Sequence, residues 1–139
     1  MSYRLKAVSA NRTKKRLRVL CVESDELLAA VLEYGLEYEG HLVESVRDGR
    51  TALGRVTQDL QRFNLIIADH RLPKLSGLQL ATMLREAGFA GHIFVHSPQV
   101  SPLELEAYMS LSVNVHTGIV TPEWPRLLKE INHVTPDYD

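Results

Sequence analysis

LIIADHRLPKLSGLQL, Leu65 to Leu80, decides the fold. Leu65-Ile66-Ile67-Ala68 is apolar throughout, which suits a strand covered on both faces. Asp69 is the first polar residue after it. His70 to Ser76 contains Pro73 and reads as a loop. From Gly77, Leu80, Ala81 and Leu84 recur at helical spacing up to Glu86, and Gly88 closes the segment. A buried strand, a polar loop and an amphipathic helix make one βα unit.

The same unit repeats on either side. Val19-Leu20-Cys21-Val22 is a first strand, followed by a helix from Asp25 to about Glu39 with Leu27, Leu28, Val31, Leu32 and Leu36 on its face. Ser24 or Asp25 is placed to cap it, and Gly40 ends it. His41–Val46 is a second strand, and Asp48 to Arg62 a helix carrying Ala52, Leu53, Val56 and Leu60. Downstream, His92–Val95 is a fourth strand, Pro98–Pro102 a loop and Leu103–Leu111 a short helix. A fifth strand lies within Val113–Val120. Thr121 caps a last helix that has Pro122 at its first position, holds Leu127, Leu128 and Ile131, and ends near His133. Five βα repeats with apolar strands predict an α/β fold: a flavodoxin-like (βα)5 three-layer sandwich on a five-stranded parallel sheet of order 2-1-3-4-5. Its ligand crevice lies at the carboxyl ends of the first and third strands.

The 139 residues suffice for one core; 45% are apolar and 24% charged, as in an ordinary globular domain. No apolar run reaches the roughly 18–20 residues of a membrane span, and the N-terminal stretch lacks the apolar core of a secretory signal. The single cysteine, Cys21, leaves no disulfide framework and no multi-cysteine zinc site. These features predict a cytoplasmic protein with no membrane partner. The net charge of −1 is unevenly spread: residues 1–18 hold seven of the sixteen Lys/Arg and none of the seventeen Asp/Glu. Residues 1–17 therefore read as a basic mobile arm, residues 18–133 as the folded domain and residues 134–139 as a frayed tail. The arm is a solubilising segment on this reading, and a nucleic-acid partner is disfavoured.

Function must come from what sits at the strand ends. Val22-Glu23-Ser24-Asp25-Glu26 follows the first strand, and Asp69-His70-Arg71-Leu72-Pro73 follows the third. In this sheet order those strands are neighbours, so Glu23 and Asp69 face one crevice. Two close carboxylates repel and lose hydration, and a divalent cation relieves both costs. Oxygen ligands with retained waters suit Mg2+. The plainer reading is that Glu23 and Asp25 only serve the start of the first helix, where negative charge is favoured.

DHRLPKLSGLQL resembles the middle of response-regulator receiver domains: Asp69 ends the third strand, Pro73 follows four residues later and Gly77 eight residues later. The resemblance covers about residues 17–133. It implies phosphoryl transfer from a partner histidine to Asp69, with Glu23 as an acidic metal ligand and the backbone carbonyl of Arg71 as another. It also implies that Ser97, after the fourth strand, hydrogen-bonds the phosphoryl group and moves on activation. For Ser97 the alternative is a turn hydroxyl beside Pro98. The implied partners are a histidine kinase or phosphotransfer protein and a downstream effector reached through the fourth helix, fifth strand and last helix; a homodimer is compatible with that surface.

Three positions depart from the family pattern. Ser24 stands where a second acid is usual, which predicts a weakened Mg2+ site. The fifth-strand lysine is absent, with Ile119 or Thr121 in its place, and Lys74 or Arg71 are candidates to supply the missing cation. His116 stands near the usual switch aromatic of the fifth strand, either as a switch residue or as a packed side chain. The alternative is thus a pseudo-receiver, an interaction module for which phosphate is not the signal. A flavin carrier lacks its phosphate loop here. A hydrolase lacks a second aspartate two residues beyond Asp69 and a Ser-His-Asp set. The chain is expected to be a signalling domain rather than an enzyme.

Overall fold

The computed structural model describes residues 16–118. Their strands are β1 (Arg18–Val22), β2 (Leu42–Val46), β3 (Leu65–Asp69), β4 (His92–His96) and β5 (Val113–His116), and their helices α1 (Glu26–Tyr38), α2 (Gly49–Gln58), α3 (Gly77–Glu86) and α4 (Pro102–Ser110). The strands form one sheet of order β2-β1-β3-β4-β5, with every neighbouring pair parallel. This is the expected flavodoxin-like sheet. The last helix, Thr121 to His133, and most of the basic arm lie outside the described residues.

Strand alternation divides the core in two. Leu20, Val22, Ile66, Ala68, Ile93 and Val95 face Ala52 and Val56 of α2 and Leu80, Ala81 and Leu84 of α3. Val19, Cys21, Leu65, Ile67 and Phe94 face Leu32 and Leu36 of α1. With apolar side chains on both faces, the central strands need their near-continuous apolar sequence. Cys21 is fully buried, and burial pushes its thiol pKa up, so it is a neutral core residue as expected.

Local chemistry sets the helix limits. Asp25, not Ser24, caps α1, its Oδ1 accepting from Leu27 and Leu28 N–H. Gly40 and Gly88 adopt φ 95° just past α1 and α3, where a side chain is disfavoured. The α2 helix stops at Gln58 rather than Arg62 because Asp59 turns extended at φ −156°; Leu60, beyond it, still packs on the core. Ser101 and Glu104 form a reciprocal capping box with Pro102 inside it, which starts α4 one residue earlier than expected. Strand β2 begins at Leu42 because the N–H of His41 closes α1 on the Leu36 carbonyl. Leu17, assigned to the arm from sequence, is fully buried, and its N–H donates to His41 Nδ1 at 3.0 Å.

Candidate functional site

The carboxyl edge of the sheet carries a row of polar residues. Asp69 is the register partner of His96, and His96 of His116. Val22 pairs with Ala68, which brings Glu23, one residue further, beside Asp69. Alternation from Cys21, Ile67 and Phe94 sends all four side chains to the face that α1 covers. The structure therefore brings Glu23 and Asp69 together, as their sequence positions implied.

Glu23 is the most enclosed of these groups, at 1% exposure. Its Oε2 accepts from Asp25 N–H at 3.0 Å, so it supports the helix start as well as facing the crevice. Its Oε1 is buried without a hydrogen bond and stands 3.4 Å from Nε2 of the equally buried His96, which also lacks one. Burial raises the Glu23 pKa from 4.5 to about 7; the Asp25 N–H bond opposes that rise and the charge of Asp69 adds to it. Burial likewise lowers the His96 pKa, while the negative charge of Asp69 works to raise it.

Asp69 is half-buried, and its Oδ1 accepts from Arg71 N–H at 3.1 Å, which folds the loop back over the carboxylate. The loop is held from below by Gly77, whose N–H donates to the His70 carbonyl at 2.9 Å. A Cβ on Gly77 would lie 2.7 Å from the Asp69 carbonyl oxygen and 2.9 Å from the Tyr108 hydroxyl. The glycine eight residues after Asp69 is thus required by close approach. Gly49 is required in the same way: a Cβ there would meet the Leu75 carbonyl at 2.5 Å.

The other expected site residues take plainer roles in this state. Ser97 is buried at the end of β4, and its hydroxyl donates to the Gln99 carbonyl at 2.9 Å and accepts from Gln99 N–H at 3.2 Å. It directly follows β4 and is engaged within its own turn. Ser24 is exposed. Asp25 spends Oδ1 on the α1 cap. His116 is half-buried, with its ring stacked on Phe94 at 6.3 Å. Lys74 adopts φ 72° and stands 3.8 Å from the Asp48 carboxylate, so its charge is drawn toward the start of α2. Arg71 is exposed at a cleft of about 530 Å3 that it lines with His70, Gln99 and Glu104. Ile119 and Thr121 lie outside the described residues.

Two histidines were missed from sequence. His96 carried a signal: it is the last residue of an otherwise apolar run entering the crevice, directly before Ser97. His70, directly after Asp69, is buried; its Nδ1 is 2.6 Å from the Tyr108 hydroxyl and its Nε2 3.1 Å from Glu104 Oε2. Both partners belong to α4, so this network joins the residue after Asp69 to that helix. Nothing in sequence signals a contact across 38 positions.

The fold places an aspartate at the end of β3, beside the other polar residues of the carboxyl edge. The family model for the response regulator receiver domain matches residues 19–116, and the chain belongs to that family. Response regulator protein PmrA of Pseudomonas aeruginosa is 39% identical over 72 residues, which are 52% of this chain and 32% of that protein. The chain spans about a third of the length of the first curated relatives it matches. Among solved structures, the chemotaxis response regulator CheY4 of Vibrio cholerae is similar with a TM-score of 0.73 and 24% identity, over 86% of this chain and 99% of that one. The receiver domain of sensor histidine kinase PA1611 from P. aeruginosa, described with a magnesium ion coordinated in its active site cleft, has a TM-score of 0.69 and 24% identity over 86% and 97% of the two chains. No helix among the described residues is long and apolar enough to cross a membrane.

Proposed function

We propose that this receiver domain accepts a phosphoryl group on Asp69 from a phosphohistidine of a kinase or phosphotransfer protein. The observation that carries the reading is the placement of Glu23 beside Asp69, with a buried, unbonded Oε1 at the crevice. That orphaned oxygen fits a cation: Glu23, Asp69 and the Arg71 carbonyl are the candidate ligands, while Ser24 offers a neutral hydroxyl where an acid would bind more strongly. Bound Mg2+ would supply positive charge for the phosphoryl oxygens.

The remaining work falls to the chain's own groups. An Asp69 carboxylate oxygen forms the new bond to phosphorus as the donor's P–N bond breaks, and the electron pair stays on the imidazole nitrogen. The Arg71 N–H on Oδ1 fixes the rotation of the carboxylate. Ser97 releases the Gln99 carbonyl and donates to a phosphoryl oxygen instead. Movement of the loop after Asp69 pulls on His70, and through Tyr108 and Glu104 on α4. A downstream effector, or a second copy of the chain, then reads the α4 and β5 surface.

One observation favours the pseudo-receiver reading. Burial raises the Glu23 pKa to about 7, which favours its protonated form, and a proton there competes with a cation. The two readings separate on one experiment. Incubation with Mg2+ and acetyl phosphate adds one phosphoryl mass to the intact chain if Asp69 is an acceptor, and Asp69→Asn abolishes the gain. Unchanged mass in excess donor assigns the chain to the pseudo-receivers.

A further inference from the structure

Glu23 Oε1 and His96 Nε2 are both buried, both without a hydrogen bond, and 3.4 Å apart. That distance is long for a hydrogen bond between nitrogen and oxygen. It matches a different geometry. Two ligands on one ion at bond lengths of about 2.0–2.2 Å stand about 2.8–3.6 Å apart at octahedral to tetrahedral angles, a range that includes this separation. Asp69 ends β3, the strand that separates β1 from β4, and is the register partner of His96. Its charge acts on both groups.

The geometry points to His96 as a nitrogen ligand that turns this crevice into a site for a first-row transition-metal dication. The inference rests on the reading of Glu23 and Asp69 as a cation pocket and deepens it. Imidazole favours Zn2+ and its neighbours, whereas an all-oxygen set suits Mg2+. Exchanging an acid at Ser24 for a nitrogen donor at His96 moves the donor set in that direction. Among the described residues no three His, Cys, Asp or Glu side chains already close around one point. The Glu23–His96 pair is therefore the preformed part, and Asp69 or water completes the shell.

The test uses the full chain. Long-range 1H–15N spectra of the six histidines are followed during titration with Zn2+ and separately with Mg2+. One equivalent of Zn2+ shifts the His96 Nε2 resonance, and EDTA reverses the shift. In competition titrations His96→Leu, checked for folding by circular dichroism, weakens Zn2+ at least about tenfold. It changes Mg2+ affinity by less than about threefold, since Mg2+ takes oxygen ligands. A wild-type His96 resonance that Zn2+ leaves unmoved, or equal Zn2+ affinity in His96→Leu, overturns the assignment while Mg2+ binding keeps the cation pocket intact. If neither metal binds the wild type, the pocket and the inference fall together.

Discussion

Replacing Glu23 by glutamine tests the electrostatics of the crevice without any ligand. Burial raises the folded-state pKa of Glu23 to about 7 against 4.5 for the free side chain. Between those values the folded chain keeps a proton that the unfolded chain has lost, so stability falls as pH rises through the window. Each unit is worth about 1.4 kcal/mol, so the wild type loses about 3 kcal/mol across it. The stabilisation is fully present below pH 4.5 and gone above about 7. The amide of the Glu23→Gln variant cannot ionise and carries no such term. Urea denaturation in EDTA from about pH 4.5 to 8, followed by circular dichroism, should show Glu23→Gln gaining about 2–3 kcal/mol on the wild type as pH rises. Parallel profiles for the two proteins, or a relative loss by the variant, would refute the claim that Glu23 is held in a costly environment.

Three other changes probe the support around the site. Tyr108→Phe removes the hydroxyl 2.6 Å from His70 Nδ1 and leaves that nitrogen buried and unpaired; urea titration should show a loss of about 1–3 kcal/mol. Gly77→Ala drives a methyl to 2.7 Å from the Asp69 carbonyl oxygen; a loss of at least about 2 kcal/mol is expected, together with shifted amide resonances in the loop after Asp69. Ser24→Asp adds the charge that the crevice lacks and should tighten Mg2+ about tenfold by calorimetry. Unchanged affinity would place position 24 outside the metal shell.

The sheet order was legible because its strands are short apolar runs separated by amphipathic helices, each with a capping residue or a closing glycine. The pairing of Glu23 with Asp69 followed from topology alone, since parallel strands deliver their last residues to one edge. What sequence hid was lateral. His96 reads as the polar end of a strand until its register with Asp69 is known. Ser97 matches a phosphoryl-binding hydroxyl, yet its bond to Gln99 depends on how that turn folds. Lys74 reads as a candidate for the missing cation, while its 3.8 Å approach to the Asp48 carboxylate depends on a loop fold that sequence does not reveal. Helix ends shifted where an extended residue such as Asp59 overrode the apolar spacing that continued to Leu60.

The acceptor itself is tested most directly by chemical trapping. After incubation with Mg2+ and acetyl phosphate, borohydride reduces an aspartyl phosphate to homoserine, and peptide mass spectrometry locates the product. Homoserine at position 69, dependent on donor and metal, is the predicted result. Its absence from position 69, or its appearance at another acid, would contradict the assignment of Asp69 as the phosphoryl acceptor.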